Sequence, residues 1–468
     1  MIQRFAYHVA LVIAAIGALM APPAILAYFQ QDFSTASKFA FSALTIIFLA
    51  GALITAMRGS AGGGGMRDAA AVFAAIWFAT PLAAAAPLWL QGFSFVDGYF
   101  AATSALTTTG ALVDPVRAYA SDAYVLWRAE LQWLGGFLTI IAAAAVISRA
   151  AVLGAAMPLP LAARGESGSV LRIARVAGRR LVSVYGLITG LTFVALIFSG
   201  LPVFDALCLA MSSIATAGFA PRPEGLDAYA GPWVASIVHA AAIAGAMNFA
   251  LHQAFLNRTK DAIAKDRETF AMAVALAGLA AGIWLSAPSA DLANAAQSLG
   301  AAIGILTTSG YGLEYGAAPL GVAVVGAIIG GSALSTAGGV KLGRVVILTT
   351  SLHAELWRLA HPHGLINRSG ASRRVGFGVW IFFIGFVLTS AAVMLTISLF
   401  GHPFHVSLAA AVGLLSNTGP ILALAVEGRP SYDIFAPDLR LLMAFVMALG
   451  RLEAVAVFLF FHRAFWRS

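Results

Sequence analysis

Four short apolar stretches of this chain each end in small polar residues and a glycine, and these tips are its best candidates for binding chemistry. The stretches are Asp97–Gly110, Asp205–Gly218, Gln297–Gly310 and Val406–Gly419, and their last glycines lie 108, 92 and 109 residues apart. Counted back from each glycine, position −6 is always small and position −2 always carries a polar side chain. The chain therefore uses one unit of about a hundred residues four times.

These tips offer backbone carbonyl and side-chain oxygens, which suit a dehydrated cation. Four turns around one axis can replace the hydration shell of such an ion. Glycine allows the unusual φ that points successive carbonyls the same way, and each short helix directs its negative C-terminal end at the cavity. The predicted ion-binding residues are Thr108, Thr109, Gly110, Thr216, Ala217, Gly218, Thr308, Ser309, Gly310, Asn417, Thr418 and Gly419. A single tip would equally fit a glycine-containing helix break, but four in matching places favour a filter.

Composition identifies the environment of the chain. Of its 468 residues 60% are hydrophobic and 10% charged, and the mean hydropathy is +0.88, which excludes a water-soluble domain of this size and indicates a polytopic membrane protein. The single cysteine, Cys208, excludes a disulfide framework. The net charge of +8 is dispersed over short loops, which indicates a topology bias and not nucleic-acid binding.

Hydrophobic segments near the ~20 residues of a spanning helix predict the organisation. We expect an all-α polytopic membrane protein, with two extra N-terminal helices followed by four pseudo-fourfold helix–pore loop–helix repeats around a central pore. This makes ten spans and four re-entrant loops, with a bend at Pro22-Pro23 in the first span. Asp97 and Asp205 suit the N-termini of two short helices as caps. The predicted units are residues 1–68, 69–165, 166–262, 263–368 and 369–468.

Charge predicts the orientation of these spans. Most arginines and lysines fall on one side of the predicted topology, so the positive-inside rule places both termini in the cytoplasm and brings all four re-entrant loops in from outside. The first helix is read as uncleaved, because its apolar run continues to about Phe29 without a signal-peptide cleavage site.

The second helix of the third unit carries a candidate gate. Continued to Ala354 it would be ~50 Å long against a ~30 Å hydrocarbon core, and its middle is rich in glycine, serine and threonine. We expect a break into a loop beneath the filter, with close helix packing by small residues as the alternative. The predicted gate residues are Gly330, Gly331, Ser335, Thr336, Gly338, Gly339 and Lys341, together with Arg451.

Arg451 is a charge deep in the last predicted span. Glu453 lies two residues on, so the two side chains point apart on a helix and are not obvious partners. An intramembrane arginine generally faces a cavity or a buried acceptor, and a pore-facing position is favoured here over a purely structural pairing. Arg128 and Glu130, in an earlier span, are expected to pair with each other.

Other chemistries have weaker support. His402 with His405, and His361 with His363, have no neighbouring cysteine or carboxylate to complete a metal site. No Ser–His–Asp arrangement or pair of intramembrane carboxylates stands out, so an enzyme is not expected. A proton- or sodium-coupled secondary transporter of a small solute is the alternative function, and only Arg451 and Glu453 could serve it.

Several motifs resemble those of one family. TTTGA at 107–111, ATAGF at 215–219, TTSGYG at 307–312 and SNTGP at 416–420 resemble the four filter segments of the Trk/Ktr/HKT superfamily of potassium transporters. LQWLGGF at 131–137, STAGGVK at 335–341 and LGRLE at 449–453 resemble its other signatures. Over essentially the whole length, the chain is similar to the bacterial Trk-type membrane subunits.

This resemblance implies potassium uptake across the bacterial inner (plasma) membrane, by a cation channel or a symporter. It implies K⁺ as the transported ion and no cofactor in this chain, with a gate at Gly330–Gly339 and an arginine, Arg451, below the filter. The implied partners are a second copy of the chain, a cytosolic nucleotide-binding regulatory subunit and membrane lipid, with no nucleic acid. Ala337 and Ile421 stand where the family often has further glycines.

Overall fold

The computed structural model describes nine segments of the chain. They are residues 2–57, 66–150, 170–229, 231–258, 266–287, 291–313, 316–361, 370–428 and 431–452. Throughout these segments the regular structure is helical and contains no strand, in agreement with the predicted all-α class.

The two N-terminal spans form a hairpin. The first is divided into α1 (Ile2–Leu19) and α2 (Ala21–Phe29) by a break next to Pro22 and Pro23, as their sequence predicts. The second was predicted from its apolar run to begin at about Phe39, but α3 spans Phe33–Ala56 and so begins six residues earlier. The Asp32 side chain caps it there by accepting a hydrogen bond from Thr35 N at 3.0 Å. This bond, with one from the Thr35 side chain, lowers the pKa of Asp32. The side chains of Leu44 and Phe48 are exposed, as expected of a lipid-facing helix.

Each of the four units places a short helix between two longer elements. The first long helices are α4 (Met66–Ala84) with α5 (Ala86–Gln91), α9 (Val170–Phe198), α13 (Arg267–Ser286) and α17 (Gly370–Leu399). The short helices are α6 (Phe95–Leu106), α10 (Val203–Ile214), α14 (Leu292–Leu306) and α18 (Phe404–Leu415). The second long elements of units 1 and 4 are the single helices α8 (Asp122–Ala150), which follows the one-turn α7 (Pro115–Ala118), and α19 (Pro437–Arg451). In units 2 and 3 the second long element is a pair of helices: α11 (Pro232–Ala246) and α12 (Phe249–Leu256) in unit 2, and α15 (Leu320–Ile329) and α16 (Leu342–Ala360) in unit 3.

The capping of the first short helix differs from the prediction. Ser94 is the N-cap of α6, and its hydroxyl accepts from Asp97 N at 3.1 Å and contacts the Asp97 carboxylate at 2.7 Å. Asp97 is thus the third residue of the helix, and Ser94, not Asp97, caps it. Asp205 likewise lies inside the first turn of α10, where it pairs with Arg222 at 3.0 Å.

Two second helices are interrupted. The break between α15 and α16, over residues 330–341, lies where the sequence predicts it. The 97° bend between α11 and α12 was not predicted, since residues 232–257 read as one continuous apolar span. Here the Asn248 side chain caps α12 by accepting from Ala250 N at 3.0 Å. The cap supplies a new helix start where no proline or glycine run indicated one.

Length and composition identify fewer spans than the ten predicted. Among the described residues, six helices could cross a membrane, or seven if the bent pair α11–α12 counts as one. Three predicted spans are not among them. The α15–α16 pair is interrupted, the last predicted span includes residues outside the described part of the chain, and α8 carries Arg128, Glu130 and Gln132 in its first half.

Two adjacent glycines of α8 allow the short helices to approach it. A methyl group on Gly135 would overlap the carbonyl oxygen of Leu106, at the end of α6. One on Gly136 would lie 3.1 Å from the Cα of Ala215, which follows α10. Helix α8 therefore packs against the ends of two short helices through bare backbone.

Substitution of Gly135 by alanine is expected to reduce the yield of folded protein sharply. The clash is with backbone, which cannot rotate away, and overpacking of this kind costs about 1–3 kcal/mol or more. Gly186→Ala is the matched control, because Gly186 lies inside α9 with no described atom within 4 Å of the added methyl. There the change should be neutral or stabilising by up to about 1 kcal/mol. Detergent-solubilised thermal unfolding of the two variants provides the comparison.

Candidate ion pathway

The four short helices end in one repeated backbone conformation. The residue at position −2 is left-handed in every unit, with φ of 50° at Thr108, 51° at Thr216, 58° at Thr308 and 55° at Asn417. Left-handed backbone is unfavourable for a threonine, by about 1–2 kcal/mol. Its presence three times in matching places indicates a geometry that the surrounding structure imposes.

Hydrogen bonds show that this geometry is a Schellman C-cap. The N–H at position −1 donates to the carbonyl at position −6 in three units: Thr109 to Ser104 at 2.9 Å, Ala217 to Ser212 at 3.0 Å, and Thr418 to Gly413 at 2.6 Å. The third unit differs by one residue, since the N–H of Gly310 itself donates to Gly304 O at 2.8 Å. These bonds satisfy the last helical carbonyls and turn the chain sharply after each short helix.

The requirement for a small residue at position −6 has a direct explanation. After the glycine the chain comes back alongside its own helix, so position −6 meets the first residue after the glycine in units 1 to 3 and the second residue, Ile421, in unit 4. Ser104 Oγ donates to Ala111 O at 2.7 Å, and Ser212 Oγ accepts from Phe219 N at 3.0 Å. A methyl group on Gly304 would overlap Tyr311 O, and one on Gly413 would lie 2.6 Å from the Ile421 side chain.

Hydroxyl pairs support three of the four turns. Thr107 and Thr109 are 2.7 Å apart, Thr307 and Ser309 are 2.9 Å apart, and Ser416 and Thr418 are 3.0 Å apart, all between side-chain oxygens. In the second unit the same two positions are Ala215 and Ala217. The sequence analysis did not recognise position −3 as part of the site, although the matched change to alanine at both positions could have indicated the pairing.

The four turns meet in a closed ring. The ring is formed by four segments, here called tips 1 to 4: Thr107–Gly110, Ala215–Gly218, Thr307–Gly310 and Ser416–Gly419. A methyl on Gly110 would overlap Ala217 O, and one on Gly218 would overlap Ser309 O. One on Gly310 would lie 2.6 Å from Pro420, and one on Gly419 would lie 2.8 Å from Thr109 O. Tips 1 and 2 thus each contact the next tip in chain order, tip 3 contacts the residue that follows tip 4, and tip 4 contacts tip 1.

The ring lies at the bottom of a cavity of about 800 Å³. All four tip glycines line this cavity, along with Pro420, Tyr311 and Tyr432. The tips themselves are buried, with Thr108, Thr216, Thr308 and Asn417 each 0% exposed. The twelve residues that the sequence selects for ion binding therefore lie together, on one side of a cavity that opens to solvent.

The residues at position −2 do not line the cavity, and the side chains of two of them, Thr216 and Thr308, bond to the break between α15 and α16. Thr216 Oγ1 lies 3.2 Å from Thr336 Oγ1, and Thr308 Oγ1 accepts from Gly338 N at 2.7 Å. Gly339 N donates to Ser416 O at 3.2 Å. The segment from Gly330 to Lys341 is therefore bonded directly to three of the four tips.

Arg451 joins the same segment to the first tip. Its Nε donates to Thr107 O at 2.7 Å, its Nη1 donates to Thr336 O at 2.7 Å, and its Nη2 contacts the Thr108 hydroxyl. The guanidinium is 8% exposed and has only neutral acceptors among the described residues. Glu453, which was considered as a partner from the sequence, lies outside the described residues.

The break segment is held from within and from the neighbouring unit. Lys341 Nζ donates to the carbonyl of Ser335 at 3.2 Å and to that of Ala337, so the segment curls around its own ammonium group. Thr336 N donates to Gly245 O at 3.0 Å, and Ser332 N donates to Ala246 O at 2.8 Å. The unpredicted α11–α12 bend therefore supplies the acceptors that anchor this segment.

One expectation from the sequence is corrected at this site. Arg128 and Glu130 do not pair: the Arg128 guanidinium lies 4.3 Å from the ring centre of Phe219 and donates to Ala118 O at 3.1 Å. They are two residues apart on α8, so their side chains diverge.

Among the described residues, no three His, Cys, Asp or Glu side chains converge on a common point. The His402 ring packs on the Phe435 ring with 4.6 Å between their centres, and His363 lies outside the described residues.

Tyr311 is a residue that the sequence analysis missed. Its hydroxyl donates towards Ser212 Oγ at 2.9 Å and Phe219 O at 3.0 Å, which ties the third unit to the second just beyond their tip glycines.

Removing this hydroxyl by Tyr311→Phe should reduce discrimination between potassium and sodium, by about fivefold for the loss of one ordinary hydrogen bond. Tyr124→Phe is the control, because its hydroxyl bonds to Pro87 O away from the tips. Competitive ion flux in liposomes measures both, and equal ratios in the two variants would contradict the prediction.

This fold and this ring define a class of protein: multi-pass membrane proteins that transport cations. A profile of the TrkH family of cation transport proteins matches residues 35–278, just over half of the chain. The chain belongs to this family, which is one of transporters and not of enzymes.

Relatives match over most of the chain. It is 27% identical over 477 residues to the Trk system potassium uptake protein TrkG of Escherichia coli K12, covering 96% of this chain and 95% of that protein. It is 28% identical to the Trk system potassium uptake protein TrkH of Halomonas elongata, covering 86% of each. The crystal structure of the potassium transporter TrkH from Vibrio parahaemolyticus superposes with a TM-score of 0.86 at 26% identity and covers 100% of both chains.

Proposed function

We propose that this chain takes up potassium across the plasma membrane, through a selectivity filter made by its four tips. The observation that carries the proposal is the closed ring of buried tips, in which the carbonyl oxygens of Thr109, Ala217 and Ser309 each lie against the glycine of a neighbouring tip, next to a cavity that opens to solvent. Carbonyl rings of this kind can replace the hydration shell of a dehydrated cation. The names of the similar proteins, which are potassium uptake proteins and a potassium transporter, support K⁺ as the ion.

Electrostatics of the ring favour a cation without any carboxylate. The four short helices end at the ring and direct their negative ends towards it. The polar side chains at the tips are hydroxyls and one amide, and most of their donors are already used in bonds within and between tips. Oxygen lone pairs are therefore what the tips can present to an ion.

The segment Gly330–Lys341 is proposed as the gate. It is non-helical, it lies on the side of the ring away from the cavity, and it is bonded to the tips through Thr336, Gly338 and Gly339. Movement of this segment would break those bonds and open a route past Arg451. The bond from Arg451 to Thr336 O would hold the closed arrangement.

The proposed setting is a bacterial inner membrane with both termini in the cytoplasm and the cavity outside, as the charge distribution indicates. We further propose a homodimer that associates with a cytosolic nucleotide-binding regulatory subunit. The resemblance of the motifs supports these partners.

The test is cation flux into liposomes that contain the purified chain alone. We expect K⁺ to enter faster than Na⁺, and we expect expression of the chain to restore growth of a potassium-uptake-deficient bacterium at low K⁺. Omitting a pH or Na⁺ gradient separates a channel from a coupled transporter, because only the latter should then lose uptake. A well-inserted protein with no K⁺ flux and no rescue would contradict the proposal.

A further inference from the structure

The fourth tip differs from the other three at its last residue. Gly110, Gly218 and Gly310 are left-handed, with φ of 73°, 71° and 74°, whereas Gly419 is not. Instead, Gly419 begins a 3₁₀ helix, Gly419–Leu424, with Pro420 in its first turn. In the first three units the chain leaves the ring through a left-handed glycine, and in the fourth it winds into a helix at the ring.

This difference places the ring of Pro420 among the three other tip glycines. A methyl added to Gly310 would lie 2.6 Å from Cβ and Cγ of Pro420. Methyl groups added to Gly110 and Gly218 would lie 3.4 Å and 3.5 Å from its Cδ and Cγ. One apolar side chain from the fourth unit therefore faces all three of the other tips, at the floor of the cavity that Pro420 lines.

Two hydrogen bonds fix Gly419 in this position. Its N–H donates to Thr109 O at 2.7 Å, and its carbonyl accepts from the Tyr432 hydroxyl at 3.0 Å. Both oxygens belong to residues selected as ion ligands. Each is thus already hydrogen-bonded, and an ion would have to compete with those bonds.

Tyr432 is itself firmly held. It is 2% exposed, its ring lies 5.5 Å from that of Phe100, and its N–H donates to Leu112 O at 2.8 Å. Both of these partners belong to the first unit. The side chain of Ile421, 0% exposed, packs on Gly413 and holds the other end of the turn.

We propose that Pro420 and Gly419 form an outer constriction of the ion path, and that Tyr432 holds it closed. An ion arriving from the cavity meets the proline ring before it reaches the tip carbonyls. Thr109 O and Gly419 O can coordinate the ion only when the fourth tip shifts and their hydrogen bonds break. Pro420 and Tyr432 thus set the rate of entry, separately from the segment on the far side of the ring. This inference rests on the proposed function.

The first experiment compares K⁺ flux in liposomes for the wild-type chain, Tyr432→Phe and Pro420→Ala. Loss of the Tyr432 hydroxyl should raise flux about fivefold, the change that one hydrogen bond of ordinary net strength makes in an equilibrium. Pro420→Ala should raise it as well, by removing the ring from the path. Tyr124→Phe, which loses a hydroxyl bonded to Pro87 O, should match the wild type. Unchanged or lower flux in both folded variants would overturn the proposal.

A second measurement does not depend on transport. Hydrogen–deuterium exchange of peptides that cover residues 416–424 should show protection in the wild type, because Gly419 N–H is bonded to Thr109 O, and faster exchange in Tyr432→Phe. Rapid exchange of these amide hydrogens in the wild-type chain would overturn the proposed constriction, whatever K⁺ flux is measured. If the wild-type chain carries no K⁺ at all, the proposed function fails, and this exchange result alone then decides whether the fourth tip is held as described.

Discussion

Gly218→Ala is expected to reduce ion flux about a hundredfold in the protein that folds into the membrane, with a lower yield of that folded protein. The added methyl would overlap Ser309 O, the neighbouring tip carbonyl, and the residue has a left-handed φ of 71°. The left-handed strain together with overpacking amounts to about 3 kcal/mol, which corresponds to a loss of about a hundredfold. Relief of the clash requires movement of Ser309, so the ring itself is deformed.

Gly200→Ala is the matched control for this prediction. Gly200 also has a left-handed φ, of 92°, but no described atom lies within 4 Å of an added methyl, and it lies in the turn before α10, away from the ring. Both variants therefore carry backbone strain, and only Gly218→Ala disturbs a neighbouring carbonyl. Thermal unfolding should show a loss of about 1–2 kcal/mol for the left-handed strain in Gly200→Ala and a larger loss in Gly218→Ala, and liposome flux per folded protein should be retained only in Gly200→Ala. Normal flux in Gly218→Ala would exclude tip 2 from the ion path.

Arg451→Gln is expected to increase K⁺ flux on the order of tenfold. The guanidinium lies on the far side of the ring from the cavity and bonds both to Thr107 O and to Thr336 O. A positive charge within several ångströms of a cation path costs about 2 kcal/mol at an effective dielectric constant of 20, so its removal favours passage. Glutamine keeps one donor group for the carbonyls, and the loss of the remaining bonds should also free the break segment.

The control for Arg451 is Arg358→Gln, which neutralises an arginine whose partner is the exposed Glu355 on α16. It should change neither flux nor stability by much, because exposed ion pairs contribute about 0–1 kcal/mol. Flux through the two variants, recorded with the purified chain alone, makes the comparison. A folded Arg451→Gln protein with reduced K⁺ flux would show instead that the guanidinium supports the ring in its conducting shape.

Much of the fold follows from local sequence. Apolar runs of spanning length located the outer helices. The short helices, predicted at residues 97–106, 205–214, 292–306 and 403–415, were located to within two residues, because the small polar residues and the glycine after each apolar stretch mark where its helix ends. The break at residues 330–341 was also predicted, since glycine-rich backbone does not sustain a helix of that length.

Tertiary structure decided what local signals could not. The bend at Asn248 depends on a side-chain cap and on acceptors for the break segment, and nothing in an evenly apolar run indicates either. The order in which the tips meet and the cross-unit bonds of Tyr311 are contacts between distant parts of the chain. The separation of Arg128 from Glu130 depends on the directions of their side chains.

The fourth tip shows the division most clearly. Its sequence, Asn417-Thr418-Gly419, matches the other three, and its −2 residue is left-handed as theirs are. The sequence alone therefore determined that a fourth turn of the same kind exists. That its glycine departs from the left-handed φ of the other three is a feature of the tertiary structure: there its N–H is bonded to Thr109 O and its carbonyl to the Tyr432 hydroxyl, because buried backbone groups take their partners from residues that are close in space and not from neighbours in sequence.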